Sequence, residues 1–198
     1  MVKPSRAVVL VFLLFWGAVG VARGDSIYDF ENTGFVDAPF AVTSNGLTAT
    51  FTSDGDPGGF EVISIAGLFA PPFMGSALGN FTSSPLTLTI SFSSYVSSIS
   101  LDFGTSGAGL FTPSALENGT PVASVAASGT IPQGFRFPEG SVILTGTFNA
   151  VVLTSTAPSF IVDNIDVIPV AMPEPASLLL LGFGLAGVAA LRRRKLAA

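Results

Sequence analysis

The chain has no cysteine and no histidine. Without cysteine there is no disulfide framework, no thiol nucleophile and no thiolate metal site. Without histidine the usual general base near neutral pH is missing, and a Ser-His-Asp triad cannot be built. Cations are scarce in the middle of the chain. Of eight Lys and Arg, Lys3, Arg6 and Arg23 lie in the first 24 residues, Arg192, Arg193, Arg194 and Lys195 lie near the end, and only Arg136 stands between. Twelve of the thirteen acids fall in Asp25–Ala171, so that segment carries a net charge of −11. Such a segment repels phosphate backbones, which excludes nucleic acid as a partner. Tryptophan is confined to Trp16, leaving Tyr28, Tyr95 and many phenylalanines as the aromatics of the middle segment. Sugar rings are usually stacked on Trp or Tyr, so this depletion weakens a sugar-platform reading. Phe69, Phe73 and Phe111, if exposed, are the substitutes.

The two ends are apolar. Met1–Gly24 has the three parts of a secretory signal: Lys3 and Arg6, an apolar run from Ala7 to Val21, and small residues at Ala22 and Gly24. At the other end, Pro173-Glu174-Pro175 cannot continue a strand or enter a helix and forms an extended spacer. Residues 176–191 are uncharged and apolar all round, which suits a core or lipid. At about 1.5 Å per residue they make a helix of roughly 24 Å, slightly short for a bilayer, a gap that snorkelling arginines cover. Arg192, Arg193, Arg194 and Lys195 then hold that end in the cytoplasm by the positive-inside rule.

This order of proline pair, apolar helix and basic end resembles the PEP-CTERM sorting signal of exopolysaccharide-producing Gram-negative bacteria. The resemblance implies an exosortase as processing partner near Pro173-Glu174-Pro175, a transient stay in the inner membrane, and delivery to the cell surface or extracellular matrix. Gly182 to Gly187 matches the dinucleotide fingerprint by letter. It lies inside the apolar run with no strand before it, and is a chance match.

Between the ends the chain alternates. Leu86, Leu88, Ile90 and Phe92 share one parity against Thr87, Thr89 and Ser91, the mark of a half-buried strand. Val96–Phe103 repeats the pattern. Further strands are expected at Ile27–Glu31, Leu47–Thr52, Phe60–Ala66, Ala108–Ala115, Pro121–Ala127, Val142–Phe148, Ala150–Thr154 and Ser159–Ile168. Asn45-Gly46 and Glu117-Asn118-Gly119-Thr120 supply hairpin turns. About ten short strands and no helical period predict an all-β, antiparallel β-sandwich over 25–171. A signal helix over 1–24 and a transmembrane helix over 176–191, within a sorting segment 172–198, flank it.

Tyr28-Asp29-Phe30-Glu31 near the start and Phe160-Ile161-Val162-Asp163-Asn164-Ile165-Asp166-Val167 near the end are similar to the opening and closing strands of jelly-roll carbohydrate-binding modules. Ile161, Asp163, Ile165 and Val167 share a parity, so Asp163 is expected to face the core with them. A buried carboxylate there needs hydrogen bonds, a cation or a proton. The module resemblance implies a structural calcium held by Asp29, Glu31 and Asp163, whose oxygens suit that hard ion. Otherwise Asp163 and Asn164 tie down backbone at a strand crossing. The apolar stretch Ala66–Gly75 is either an exposed interaction patch or a flap over the sandwich.

Gly104-Thr105-Ser106-Gly107-Ala108 misses the nucleophile-elbow pattern, and with no histidine no catalytic residues are assigned. The expected function is that of a non-enzymatic, exported protein of structural or adhesive type at the cell surface or in the exopolysaccharide matrix. The alternative is a module that binds a matrix polysaccharide. Ice binding would need a flat face with ranked Thr-x-Thr pairs, of which Thr48/Thr50 and Thr87/Thr89 are two.

Overall fold

The structure, a computed structural model, describes residues 24–55, 59–82 and 84–170. The expected signal segment, save Gly24, and the whole sorting segment lie outside the described residues.

Eleven strands follow in order: β1 (Ser26–Tyr28), β2 (Phe40–Ser44), β3 (Leu47–Ser53), β4 (Glu61–Ser64), β5 (Ser76–Gly79), β6 (Leu88–Thr105), β7 (Leu110–Glu117), β8 (Thr120–Ser124), β9 (Ala127–Ser128), β10 (Glu139–Ser155) and β11 (Phe160–Pro169). All pairings between them are antiparallel. The expected turns are present. Asn45-Gly46 has φ of 45° and 77°, and Asn118-Gly119 has 50° and 83°, the left-handed pair that a two-residue hairpin requires.

The four strands expected at 86–92, 96–103, 142–148 and 150–154 are two long ones. β6 and β10 each run through one leaf, bend, and continue into the other. Their register breaks between Thr145 and Phe148 and again between Phe148 and Ala150. Bulges let a strand turn the corner between sheets without ending its ladder. The first leaf therefore holds β2, β3, the start of β6, the end of β10, β7, β8 and β9. The second holds β4, β5, β1, β11, the end of β6 and the start of β10. β2 and β5 were missed in the sequence; each is five residues or shorter, too short to show a period.

Aromatic rings fasten the leaves. Phe111 on β7 stacks on Phe103 of β6 at 4.5 Å and meets Phe160 of β11 edge-on at 5.3 Å. At the far end Tyr28 and Phe30 stand edge-on to Phe51 of β3, and the Tyr28 hydroxyl donates to the Leu47 carbonyl at 3.0 Å. Burial raises the Tyr28 phenol to about 12. Each such ring contributes about 1.5–3 kcal/mol by leaving water.

Candidate functional site

β11 changes face in its middle. Phe160 and Val162 point into the core and Ile161 away from it, yet Ile165 and Val167 point inward again. One residue is extra between Asp163 and Asp166, and Asn164 takes a left-handed φ of 50°. The even parity across Asp163 expected from the sequence is thus broken by a bulge. Asp163 is buried, at 1% exposure, but on the outer side of the second leaf beside Asp102 rather than in the core.

That outer side is covered by the stretch Ala66–Gly75, which is a flap. Phe69 and Phe73 pack with Ile65, Ala77 and Ile161, and Phe69 stacks on Phe137 at 5.2 Å. The fit is close: a Cβ on Gly104 would stand 2.5 Å from the Phe69 ring. Polar ties hold the flap. The Glu139 carboxylate accepts from the Ala70 amide at 2.8 Å, the Glu31 carboxylate from the Ser76 amide at 3.2 Å, and the Asn164 amide group donates to the Pro72 carbonyl at 3.4 Å and to Asp102 at 3.1 Å. Burial lifts the Glu139 carboxyl above its ordinary range, and the Ala70 amide pulls the other way.

Asp163 thus lies in a corner of acids. Its carboxyl is pushed up to about 7, chiefly by burial; the Asn164 amide, at 2.8 Å, opposes this, and Glu31, Asp102 and Asp29 add to it. Asp29 accepts from the Glu31 amide at 3.4 Å. The structure therefore brings the three expected acids into one neighbourhood and adds Asp102, which β6 supplies from more than sixty residues away. Among the described residues, no three acidic side chains converge closely enough to hold a metal as they stand.

The aromatics named as platforms are not available. Phe69, Phe73 and Phe111 are all buried. Among the described residues, the exposed rings are Phe35 at 81%, Phe81 at 58% and Tyr95 at 38%. Phe81 rims an apolar cleft of about 150 Å³ at the loop end, walled by Leu68, Phe137 and Ile161 with Ser106 and Ser159 beside them. A wider groove of about 420 Å³ runs between β1 and β2, lined by Asp29, Asn32, Thr33, Thr43 and Ser44 among others. No sequence signal separated Phe81 from its buried neighbours, because it sits in a loop with no period. Beside Phe81, Asn80 is buried at 1% exposure and accepts from the Phe160 amide at 2.8 Å.

Among the described residues, the strands of the first leaf carry one acid, Glu117 at the hairpin end of β7, and their outward rows carry none. One row across the outer face runs Thr52, Thr89, Val152, Ser114, Ser124, and the next passes through Thr50, Ser91 and Ala150. Adjacent strands lie about 4.8 Å apart, so the hydroxyls form a ladder. Thr43 and Thr48 share a hydrogen bond of 2.8 Å, and Ser114 and Ser124 one of 2.9 Å. The Thr-x-Thr pairs read in the sequence fall partly here, with Thr52 extending Thr48 and Thr50 to a run of three.

Residues 173–195 match the PEP-CTERM protein-sorting motif. Pro173, Glu174, Pro175, Arg192, Arg193 and Arg194 all lie within that match, which implies an exported chain that passes through a membrane-held intermediate processed by an exosortase. No curated protein matches the chain. Among solved structures it is similar to the family 11 carbohydrate-binding module of the cellulase Lic26A-Cel5E of Clostridium thermocellum, at 11% identity and a TM-score of 0.39, over 78% of this chain and 99% of that one. It is also similar to a family 6 carbohydrate-binding module, at 17% identity and 0.37, over 69% and 94%. A module from Clostridium stercorarium solved with cellobiose matches at 15% and 0.37, over 70% and 94%.

Proposed function

We propose that this exported protein is a non-catalytic component of the cell surface or exopolysaccharide matrix, of structural or adhesive type, and that it works through the outer face of its first leaf. The observation that carries this reading is the absence of charge on a face several strands wide, in a segment whose net charge is −11. A neutral face lets an acidic protein approach acidic polymers that its other surfaces repel. Binding of the released protein to matrix polysaccharide, compared with that of a variant carrying Thr50→Asp and Ser91→Asp, tests it. Retention of full binding by the variant would remove the face from the proposal.

The second reading, a module that recognises one matrix glycan, is favoured by the Phe81 cleft, where an exposed ring stands beside serine hydroxyls. A glycan array separates the two. A selective hit lost in Phe81→Ala supports the module, and uniform weak retention supports the structural role.

A calcium ion at the Asp29, Glu31 and Asp163 corner belongs to the same proposal. Hard oxygen donors and the missing counter-charge at Asp163 support it, and the acids would have to turn towards one another to hold the ion. When bound, the ion would neutralise the corner and keep Asp163 ionised. A rise in Tm on adding calcium to the chelated protein is the expected result, and an unchanged Tm rejects it.

A further inference from the structure

The sheet edges of the sandwich are not equally closed. The edge of β4 is sealed by residues 36–38: the Val62 amide donates to the Val36 carbonyl at 2.9 Å, the Ala38 amide to the Phe60 carbonyl at 2.8 Å, and Asp37 bridges to Glu61. β8 is short and carries Pro121, which lacks an N–H to pair. The second leaf's other edge is the first part of β10, where Thr130 closes Glu139 through two backbone hydrogen bonds of 2.8 and 2.9 Å and the strand continues beyond it. There Ser141–Thr145 pair with β6 on one side, and among the described residues make no backbone hydrogen bond on the other. An unpaired run of this kind is a template for another strand, and natural edges usually carry a charge or a proline against it. This one carries neither. Residues 140–162 include no charged side chain, and Ile143, in the middle of the run, is 64% exposed. Gly146, at φ 139°, and the register break after Thr145 end the run at five residues, an ordinary strand length.

From this edge we infer that the protein pairs with a second copy of itself, Ser141–Thr145 lying antiparallel to the same residues of the copy about a two-fold axis near Ile143. The two second leaves then form one continuous sheet. Charge selects the copy and the place. Two chains that each carry −11 over the middle segment meet at least cost along an uncharged seam. An axis near Ile143 leaves Glu139, whose edge Thr130 already closes, outside the seam, so that the nearest acids do not face each other. A two-fold contact of one edge with itself is closed, so it yields a dimer and not a filament. The inference stands apart from whatever the first leaf's face binds.

The chain has no cysteine, so single-cysteine variants of the full chain report the seam without background. Across an antiparallel pair, opposed Cα atoms lie about 4.5–5.5 Å apart, within disulfide reach. Ile143→Cys is expected to cross-link to its own copy under mild oxidation. Ser141→Cys and Thr145→Cys each fail alone but cross-link when the two variants are mixed. Thr50→Cys, on the first leaf, stays uncross-linked. In detergent, the full chain is expected to sediment at twice the chain mass and Ile143→Asp at once that mass, while Val122→Asp, at an exposed apolar site on β8, keeps the doubled mass. Higher salt is expected to favour the dimer. Sedimentation of the unaltered chain as a monomer, a doubled mass unchanged in Ile143→Asp, or equal cross-linking at all four positions would each overturn the inference. Loss of glycan retention with the dimer intact would bear only on the first leaf.

Discussion

The two leaves share one core and differ in almost everything they show to solvent. The first leaf turns outward a ladder of threonine and serine with no ionised group among the described residues. The second carries Glu61, Asp102, Glu139, Asp163 and Asp166 in its strands, has Asp29 and Glu31 in a loop against it, and covers part of its outer face with a second apolar layer under a flap. Asp166 too is raised, by burial first and then by Asp25. On the function proposed above, the contrast keeps binding and stability on different leaves. The face left open is the one whose side chains are small, polar and uninvolved in packing, while the costly buried carboxylates sit where backbone amides and a flap surround them.

The largest expected effect is in the layer both leaves share. Phe103→Ala removes the ring stacked on Phe111 and should cost about 3–5 kcal/mol, read as a lower midpoint in urea. A loss under 1 kcal/mol would mean that the leaves are not fastened there.

Next comes the acidic corner of the second leaf. An Asp163 carboxyl raised to about 7 in the folded state, against an ordinary value near 3.8, binds its proton more tightly folded than unfolded. Stability from this group is therefore fully present below about pH 4 and is lost as pH rises through about 7, with a slope of at most about 1.4 kcal/mol per pH unit. Asp163→Asn should flatten that part of the pH profile. Calcium, if it fills the corner, should flatten it as well, by holding the carboxylate ionised in the folded protein. A profile in chelator that does not fall between pH 4 and 7 would contradict the burial described.

Cutting a flap tie is a smaller step. Glu139→Ala leaves the Ala70 amide without its acceptor and should cost about 1–3 kcal/mol, whereas Glu139→Gln keeps an acceptor oxygen and most of the stability. Hydrogen exchange at Ala70 would show the difference directly.

Smallest of all are changes on the open face. Thr50→Ala with Ser91→Ala should move stability by no more than about 0.5 kcal/mol per site, because the side chains are surface ones away from any cap or buried network. Retention on matrix polysaccharide should fall all the same. If stability falls and retention does not, the roles assigned to the two leaves are reversed.

Much of the sandwich could be read from the chain because a strand needs only nearest-neighbour alternation to declare itself. The runs 86–92 and 96–103 are cases, and both hairpin turns at Asn-Gly follow from φ preference alone. Two features escaped for the same reason. Nothing local says that 88–92 and 96–105 are one strand bent between leaves, since the bend is set by bulges opposite a partner some fifty residues away. Nor does parity survive the extra residue at Asn164, so Asp163 was read onto the wrong face although its burial was read correctly. Phe69 and Phe81 look alike as letters, and only the flap decides that one is core and the other rim.

What the amino-acid order decided by itself is what depends on short range and on charge counting: an all-strand middle with a net −11, apolar ends, and a sorting motif at 173–195. The tertiary structure alone decided which hydroxyls share a neutral face, which acids gather beneath the flap, and that Ser141–Thr145 lie on an unpaired edge. Those are relations between residues far apart in the chain. They exist only once β6 and β10 carry the ladder from one leaf to the other.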